Sequence, residues 1–378
     1  MERILLLGYF GAGNFGDDAL LVDWLKKQHG WMESRGMVAG VVNNGLDPLV
    51  GFAEGDELRD LIDSLIPRRR ALSMPLGGYR ALVAPGGSLL QDSTSVRSLL
   101  YYLWVMRRFL RAGKPVYLLN QGIGPLSSWL ASYLTPRYLK GVKLLTLRDS
   151  ESYAWANGQR LLEKHPEVRL SADPLLSAQF AAPPGMKSEA DLAGGYALVI
   201  PRRSGDLPTA GDETTEEAAL GRLLSHAAQI TDLKQILAPL HRGQDQEFCE
   251  AVSTILPGET VVFKAGDKQQ HYANAIWGLI AGASLVISYR LHGLVCAAAH
   301  GIPALGVAYD PKVVSFCTEV GYPYCFPATV HEQSSLDDLE RLWSGRAAVL
   351  DELAVRRKKM LERLKLSEER FYSLWEES

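Results

Sequence analysis

Short apolar runs recur along the chain, each closed off by Gly, Pro or charged residues. In the first half they fall at 4–7, 37–42, 81–84, 116–119 and 143–147, and their length and borders predict buried strands. Between them the period changes: within 19–28, Leu21, Trp24, Leu25 and Gln28 stand at i, i+3, i+4 and i+7, one face of a helix. Strands alternating with helices predict a parallel, doubly wound sheet. Residues 181–193, with Pro183, Pro184 and Gly185, break the pattern and read as a linker. The alternation restarts at 196–200, 235–240, 260–263, 284–288 and 304–308. The tail, 335–377, puts Leu336, Leu339, Leu342 and Trp343 on one helical face and carries a basic cluster at Arg356, Arg357, Lys358 and Lys359. The expected architecture is α/β, with one Rossmann-like domain over 1–180, a second over 194–334, and a helical segment 335–378 packing back on the first. Such folds bind ligands at the carboxyl ends of their strands, so a cleft between the two domains is the expected site.

Composition narrows the class. A chain of 378 residues, 47% hydrophobic, is long enough for two domains with cores of their own. A net charge of −3 provides no strong global field for nucleic acid or lipid. None of the four cysteines stands in a C-x-x-C pair, which argues against a disulfide framework or zinc knuckle and for a reducing compartment. The longest clearly apolar run, 99–106, falls well short of the ~20 residues that span a bilayer. The opening run at 4–7 is too short for a secretion signal. A soluble, cytoplasmic protein is expected. Two such halves joined by one linker resemble the GT-B architecture of two-domain nucleotide-sugar glycosyltransferases.

Glycine clusters mark the strand ends. Gly8, Gly11, Gly13 and Gly16 surround Asn14 and precede Asp17 and Asp18 between a strand and a helix, so backbone amides at a helix N-terminus can face an anion. This is not a dinucleotide fingerprint, because Val41-Val42-Asn43-Asn44 stands where a ribose-binding carboxylate belongs. Equally, Asp17 and Asp18 suit helix caps. Gly86 and Gly87, followed by Ser88, Gln91 and Asp92, close another strand; Gln91 and Asp92 suit sugar hydroxyls, or a turn and a cap. Gln121-Gly122-Ile123-Gly124-Pro125 closes a third.

Charged groups sit at further strand ends. Arg148 follows an apolar strand and can aim a fixed fork at carboxylate or phosphate, or pair with Asp149. Arg290 and His292 stand at i and i+2 between a strand and the small-residue helix 295–299, and Lys312 lies near the end of the next strand. A helix N-terminus disfavours the imidazolium and favours a histidine poised for proton transfer. His241 also ends a strand, whereas His29, His165, His226, His271, His300 and His331 are scattered and default to surface or core. The aromatic and basic helix 99–111 suits a membrane interface, but a helix hydrophobic nearly all round belongs in a core, and that is the expectation.

Together, Gly8-Tyr9-Phe10-Gly11 with Asn14-Phe15-Gly16-Asp17, Pro85-Gly86-Gly87-Ser88-Leu89-Leu90-Gln91-Asp92, Gln121-Gly122-Ile123-Gly124-Pro125-Leu126, Arg148-Asp149, Arg290-Leu291-His292 and Tyr309-Asp310-Pro311-Lys312-Val313 resemble the polysaccharide pyruvyl transferase family, in its CsaB-type branch. One departure is Asp18, where the family pattern has Glu. The resemblance implies transfer of the enolpyruvyl group of phosphoenolpyruvate onto two hydroxyls of one sugar, giving a pyruvate ketal and phosphate. It further implies a lipid-linked glycan acceptor for a secondary cell wall polymer of the kind that anchors S-layers. Donor binding would fall to Arg148, Arg290, His292 and Lys312, with His292 and Arg148 catalytic. Gly11, Asn14, Asp17, Gly86, Gly87, Gln91, Gln121 and His241 would line the acceptor side. No metal and no cofactor beyond the donor substrate is expected, nor nucleic acid; contact with the inner membrane through Arg68–Arg70 or Arg356–Lys359 is the remaining partner expectation. A nucleotide-sugar glycosyltransferase of the same architecture is the alternative, and a non-catalytic glycan-binding protein would not explain the clustered cations.

Overall fold

The structure is a computed structural model that describes the chain except residues 1, 94, 165–166, 182–194, 206–214, 257–259 and 265–270. The linker 181–193 therefore lies, from 182 on, outside the described residues. The chain forms two compact units, one comprising Met1–Val50, Glu54–Gln179 and Lys359–Ser378, the other Gly51–Ala53 and Phe180–Lys358.

The first unit holds the strands β1 (Glu2–Leu6), β2 (Met37–Asn43), β3 (Ile62–Pro67), β4 (Tyr79–Ala84), β5 (Gly87–Leu90), β6 (Val116–Ile123), β7 (Leu144–Leu147) and β8 (Val168–Leu170). Its helices are α1 (Phe15–Ser34), α2 (Gly55–Leu58), α3 (Arg68–Ala71), α4 (Val96–Arg111), α5 (Trp129–Leu139), α6 (Ser150–Gly158) and α7 (Leu161–Lys164). The sheet runs β3-β2-β1-β4-β6-β7-β8 with β5 beside β6, every pair parallel. Ile4, Leu5, Leu6, Leu82, Val83 and Leu118 are almost wholly buried, as strands covered on both faces require. Each such side chain adds about 1.5–3 kcal/mol.

The second unit holds β9 (Tyr196–Ile200), β10 (Lys234–Leu237), β11 (Thr260–Val262), β12 (Leu285–Ser288), β13 (Ala304–Val307) and β14 (Tyr324–Cys325). Its helices are α8 (Glu216–Thr231), α9 (Gln246–Ile255), α10 (Tyr272–Ala281), α11 (Leu291–His300), α12 (Pro311–Val320), α13 (Gln333–Ser344) and α14 (Arg346–Glu376), whose residues from Lys359 on belong to the first unit. The sheet runs β11-β10-β9-β12-β13-β14, all parallel. Strand order reverses between β1 and β4 in one unit and between β9 and β12 in the other, the places where such sheets open toward ligands.

Four strands escaped the hydrophobic pattern: β3, β5, β8 and β14. β3, β8 and β14 are sheet edges, half exposed, so they lack a continuous apolar run. β5 is built from the Gly87 segment that read as a turn. The tail helix is two helices, because α13 ends at Gly345, whose amide donates to Arg341 O (2.9 Å). The core reading of 99–111 is corrected for half of α4. Leu99, Tyr102, Leu103, Val105, Met106 and Phe109 are buried, but Arg97, Trp104 and Arg111 face solvent. Among the described residues no helix is long and apolar enough to cross a membrane.

Candidate functional site

Four neighbouring strands of the second unit deliver polar side chains to one rim. β10 leads to His241, β9 to Arg202, β12 to Arg290 and β13 to Tyr309 and Asp310. Two helices begin on the same rim: α11 with Arg290 at its N-cap, and α12 with Asp310 at its N-cap, accepting the Lys312 amide (3.1 Å). Their unsatisfied amides and dipoles favour an anion there. Gly293 is needed for this closeness, since a Cβ would stand 2.4 Å from Ser288 Oγ and 2.7 Å from Ile200 Cδ1.

Arg290 is clamped before any ligand arrives. Its Nε donates to Asp245 Oδ2 (3.0 Å), its Nη2 donates to Asp245 Oδ1, and its amide donates to Ser288 Oγ (3.1 Å). Asp245 is fully buried and also accepts the His241 amide (2.9 Å), so one carboxylate sets both the guanidinium and the 241–245 loop. The expectation that Arg290 assists in gripping the donor is therefore modified, because two of its nitrogens are already committed. Burial, reinforced by the Arg290 charge, pulls the His241 imidazole below its ordinary pKa against the opposing pull of Asp245, and its Nδ1 is buried with no hydrogen-bond partner. His241, expected to serve the acceptor, lies in the second unit beside Arg290 and Asp245.

Lys312 Nζ sits 2.9 Å from Asp310 Oδ2 and 5.9 Å from the Tyr309 ring centre. Arg202 approaches the same ring, with its guanidinium 4.4 Å above the centre and Nη1 donating to the Tyr309 hydroxyl (2.7 Å). His292, partly buried, is the second residue of α11. The rim thus gathers Arg202, His241, Arg290, His292 and Lys312 within one unit. Sequence reasoning missed Arg202 and Asp245. The signal for Arg202 was present, since it follows the 196–200 run much as Arg148 follows 143–147.

The remaining candidates lie in the first unit. Arg148 is buried, with Nη2 donating to Ser88 Oγ (2.7 Å), Nη1 3.4 Å from Asp173 Oδ2 and Nε 3.5 Å from Asp149 Oδ2. The internal ion pair anticipated as its alternative role is present, with Asp173 as an unforeseen second partner. Asp149 also caps α6, accepting the Ser152 amide (2.7 Å).

Most of the glycine loops answer to protein neighbours. Gly11, at φ +67, leaves no room for a Cβ beside Asn43 and Leu46, and its amide donates to Asp18 Oδ1 (2.7 Å). Asn14 Nδ2 donates to the Asp17 carboxylate. Gly86 packs where a Cβ would press on Leu20, and Gly87, at φ +104, passes close to Asp17. Gln91 accepts from Ser93. Asp92 takes the amides of Ser127 (2.8 Å) and Ser128 (2.7 Å); desolvation opposes ionisation, but these amides hold the carboxyl below its ordinary range, so it fastens a turn rather than standing open to sugar. Gln121 is wholly buried, with Nε2 donating to Leu119 O (2.8 Å) and Ala84 O (3.3 Å). That corrects its expected place on the rim: it braces β4 against β6. Among the described residues no group of three or more His, Cys, Asp or Glu could hold a metal.

These features define a two-unit α/β protein with a GT-B fold and a cationic rim on its second sheet. The family model for polysaccharide pyruvyl transferase matches residues 53–311, and the chain belongs to that family. No curated protein matches it. Solved structures agree on the fold. MnaA of S. aureus with UDP aligns at 12% identity and TM-score 0.61, over 97% of this chain and 96% of that one. A putative UDP-N-acetylglucosamine 2-epimerase from Listeria monocytogenes gives 10% and 0.59, over 93% and 90%. A glycosyltransferase from Rickettsia africae gives 10% and 0.57, over 100% and 98%.

Proposed function

We propose that this enzyme moves the enolpyruvyl group of phosphoenolpyruvate onto a sugar of a cell-surface polysaccharide precursor, forming a cyclic pyruvate ketal and releasing phosphate. The observation that carries the reading is the rim of the second unit, where Arg202, Arg290, His292 and Lys312 meet two helix N-termini. Phosphoenolpyruvate presents a phosphate and a carboxylate; Asp245 and Asp310 offset two of the rim's charges, but Arg202, Lys312 and the two helix N-termini still offer the charged donors and amides that such a double anion takes. Lys312 and Arg202 bind the two anionic groups, while Arg290, held by Asp245, supplies a fixed charge behind them. Arg148, in the first unit, keeps its guanidinium braced by Ser88 and two carboxylates.

Chemistry begins with proton delivery to the methylene carbon, for which His292 at the start of α11 is the candidate acid. The C2 cation accepts a sugar hydroxyl oxygen, the C2–O bond to phosphate breaks, and the second hydroxyl closes the ketal. Each hydroxyl gives up one proton: one restores the proton His292 gave to carbon and the other leaves on the phosphate, and His241, kept neutral by burial beside Arg290, suits the relay of one of them. The acceptor in this reading is a lipid-linked saccharide on the inner membrane face, which places the enzyme in the cytoplasm.

Incubation with phosphoenolpyruvate and a cell-wall-type disaccharide should release phosphate and yield an acid-labile ketal. His292→Ala should lower turnover ~10²–10⁴-fold with the fold intact; near-normal turnover removes His292 from the mechanism. Binding of a uridine nucleotide by calorimetry, without affinity for phosphoenolpyruvate, would overturn the reading in favour of a glycosyltransferase.

A further inference from the structure

The charge of this chain is unevenly spread. It nets −3 overall, yet between residues 64 and 148 stand thirteen Lys and Arg and one carboxylate, Asp92. Asp92 is itself occupied by the Ser127 and Ser128 amides. Much of this segment surrounds the outward faces of α3, α4 and α5 in the first unit. On α4 the outer stripe reads Arg97, Trp104, Arg107 and Arg111, spaced at helical intervals, with neither Asp nor Glu on the helix; Tyr101 is half-buried beside it, and Arg108 turns inward to the carbonyls of Ala71 (2.7 Å) and Met74. On α5 it reads Trp129, Tyr133 and Arg137, with Lys140 just past the helix end. The two stripes meet at Arg107, whose guanidinium lies 5.8 Å from the ring centres of both Trp104 and Tyr138. Leu72, just past α3, joins them, since its carbonyl accepts from Trp104 Nε1 (3.4 Å).

Large rings are rarely left in water without cause, and here Trp129 is 77% exposed, Tyr133 50% and Trp104 46%. From this juxtaposition we infer that the α4–α5 face docks on an anionic lipid bilayer, its indole and phenol rings entering the headgroup region and its arginines meeting lipid phosphates. Aromatic residues interleaved with Arg are what that layer favours, and a surface lacking carboxylates complements its negative potential. A second copy fits poorly, because a two-fold contact would set these arginines against their own equivalents. A nucleic-acid strand fits less well than lipid, because guanidinium groups already stack on Tyr133 (Arg137, 3.3 Å) and Tyr101 (Arg68, 4.3 Å), where bases would lie. The other basic cluster is partly spent within the protein, as Arg356 donates to Thr318 O (2.7 Å) and pairs with Glu352. The inference rests on the surface alone and not on the transferase reading.

The test is co-sedimentation of the full chain with vesicles of phosphatidylcholine alone and of phosphatidylcholine with phosphatidylglycerol. Binding should require the anionic lipid, fall steeply at high salt, and shift tryptophan fluorescence to the blue. Each of Arg107→Gln and Arg111→Gln should weaken partitioning about five-fold. Adding Trp129→Ser and Tyr133→Ser should abolish it while circular dichroism, melting temperature and turnover on a soluble acceptor stay unchanged. Lys358→Gln with Lys359→Gln should bind as the parent does. Equal binding to both vesicle types, retention by the four-site variant, tighter binding of single-stranded RNA, or a monomer–dimer shift caused by the four-site variant would each overturn the proposal.

Discussion

The Asp245–Arg290 pair permits the sharpest test of how the rim is built. Asp245 is fully buried and accepts two guanidinium N–H groups and the His241 amide, while Arg290 is 9% exposed. Asp245→Asn keeps the volume but removes the charge and at least one acceptor. The guanidinium is then left in low dielectric without its counter-ion. Breaking a buried pair on one side costs about 3–5 kcal/mol, a large share of the ~5–15 kcal/mol that holds a typical protein folded. Urea unfolding of the single variant should show a loss of that size, with KM for phosphoenolpyruvate raised because Arg290 loses its fixed aim. The double variant Asp245→Leu with Arg290→Met should recover most of the stability, since an apolar replacement avoids desolvating two ions, yet it should remain inactive. Recovery of stability without activity separates fold from function. A loss under about 0.5 kcal/mol for Asp245→Asn, the range of an ordinary surface change, would refute the argument that this carboxylate organises the rim.

Three further outcomes follow from other parts of the molecule. Burial pushes the Asp23 carboxyl up to about 6 against the pull of Lys27 (2.7 Å); because that value exceeds the unfolded one, its contribution to stability is full at low pH and is lost as pH rises through 6. Asp23→Asn should therefore flatten the pH dependence of the melting temperature between about pH 4 and 7, removing up to ~3 kcal/mol of ionisation cost at the upper end, and an unchanged slope would refute this. Gly293→Ala should destabilise by about 1–3 kcal/mol, because its Cβ would overlap Ser288 and Ile200; a neutral effect in urea unfolding would show that α11 can shift. Arg202→Met should raise KM for phosphoenolpyruvate ~10–100-fold, the worth of a charge-assisted hydrogen bond, with little change in kcat; an unaltered KM would remove Arg202 from the donor site.

Much of the fold could be read from the pattern of residues, for a definite reason. A strand sandwiched between helices must be apolar on both faces, so β1, β2, β4, β6, β7, β9 and β12 announced themselves as short apolar runs. Edge strands carry no such requirement, and β3, β8 and β14 were invisible. The strand-end positions of the candidates Arg148 and Arg290 were legible, because a charged side chain just after an apolar run sits at a strand end. Their partners were not. Asp245 lies 45 positions from Arg290, and Asp173 lies 25 from Arg148, and no local pattern links either pair.

By itself, the order of residues determined the α/β class, the place of each glycine-rich strand end and the family to which the chain belongs, because periodicity and motif spacing are local properties. Only the tertiary structure decided which charges are occupied and which groups share a rim. It put Gln121 inside the sheet, tied Arg290 to Asp245, joined Arg202 to Tyr309 and left the outer stripes of α4 and α5 in solvent. Those outcomes depend on strand order and on how closely helices approach a sheet, and both are settled by the whole chain burying its apolar surface at once.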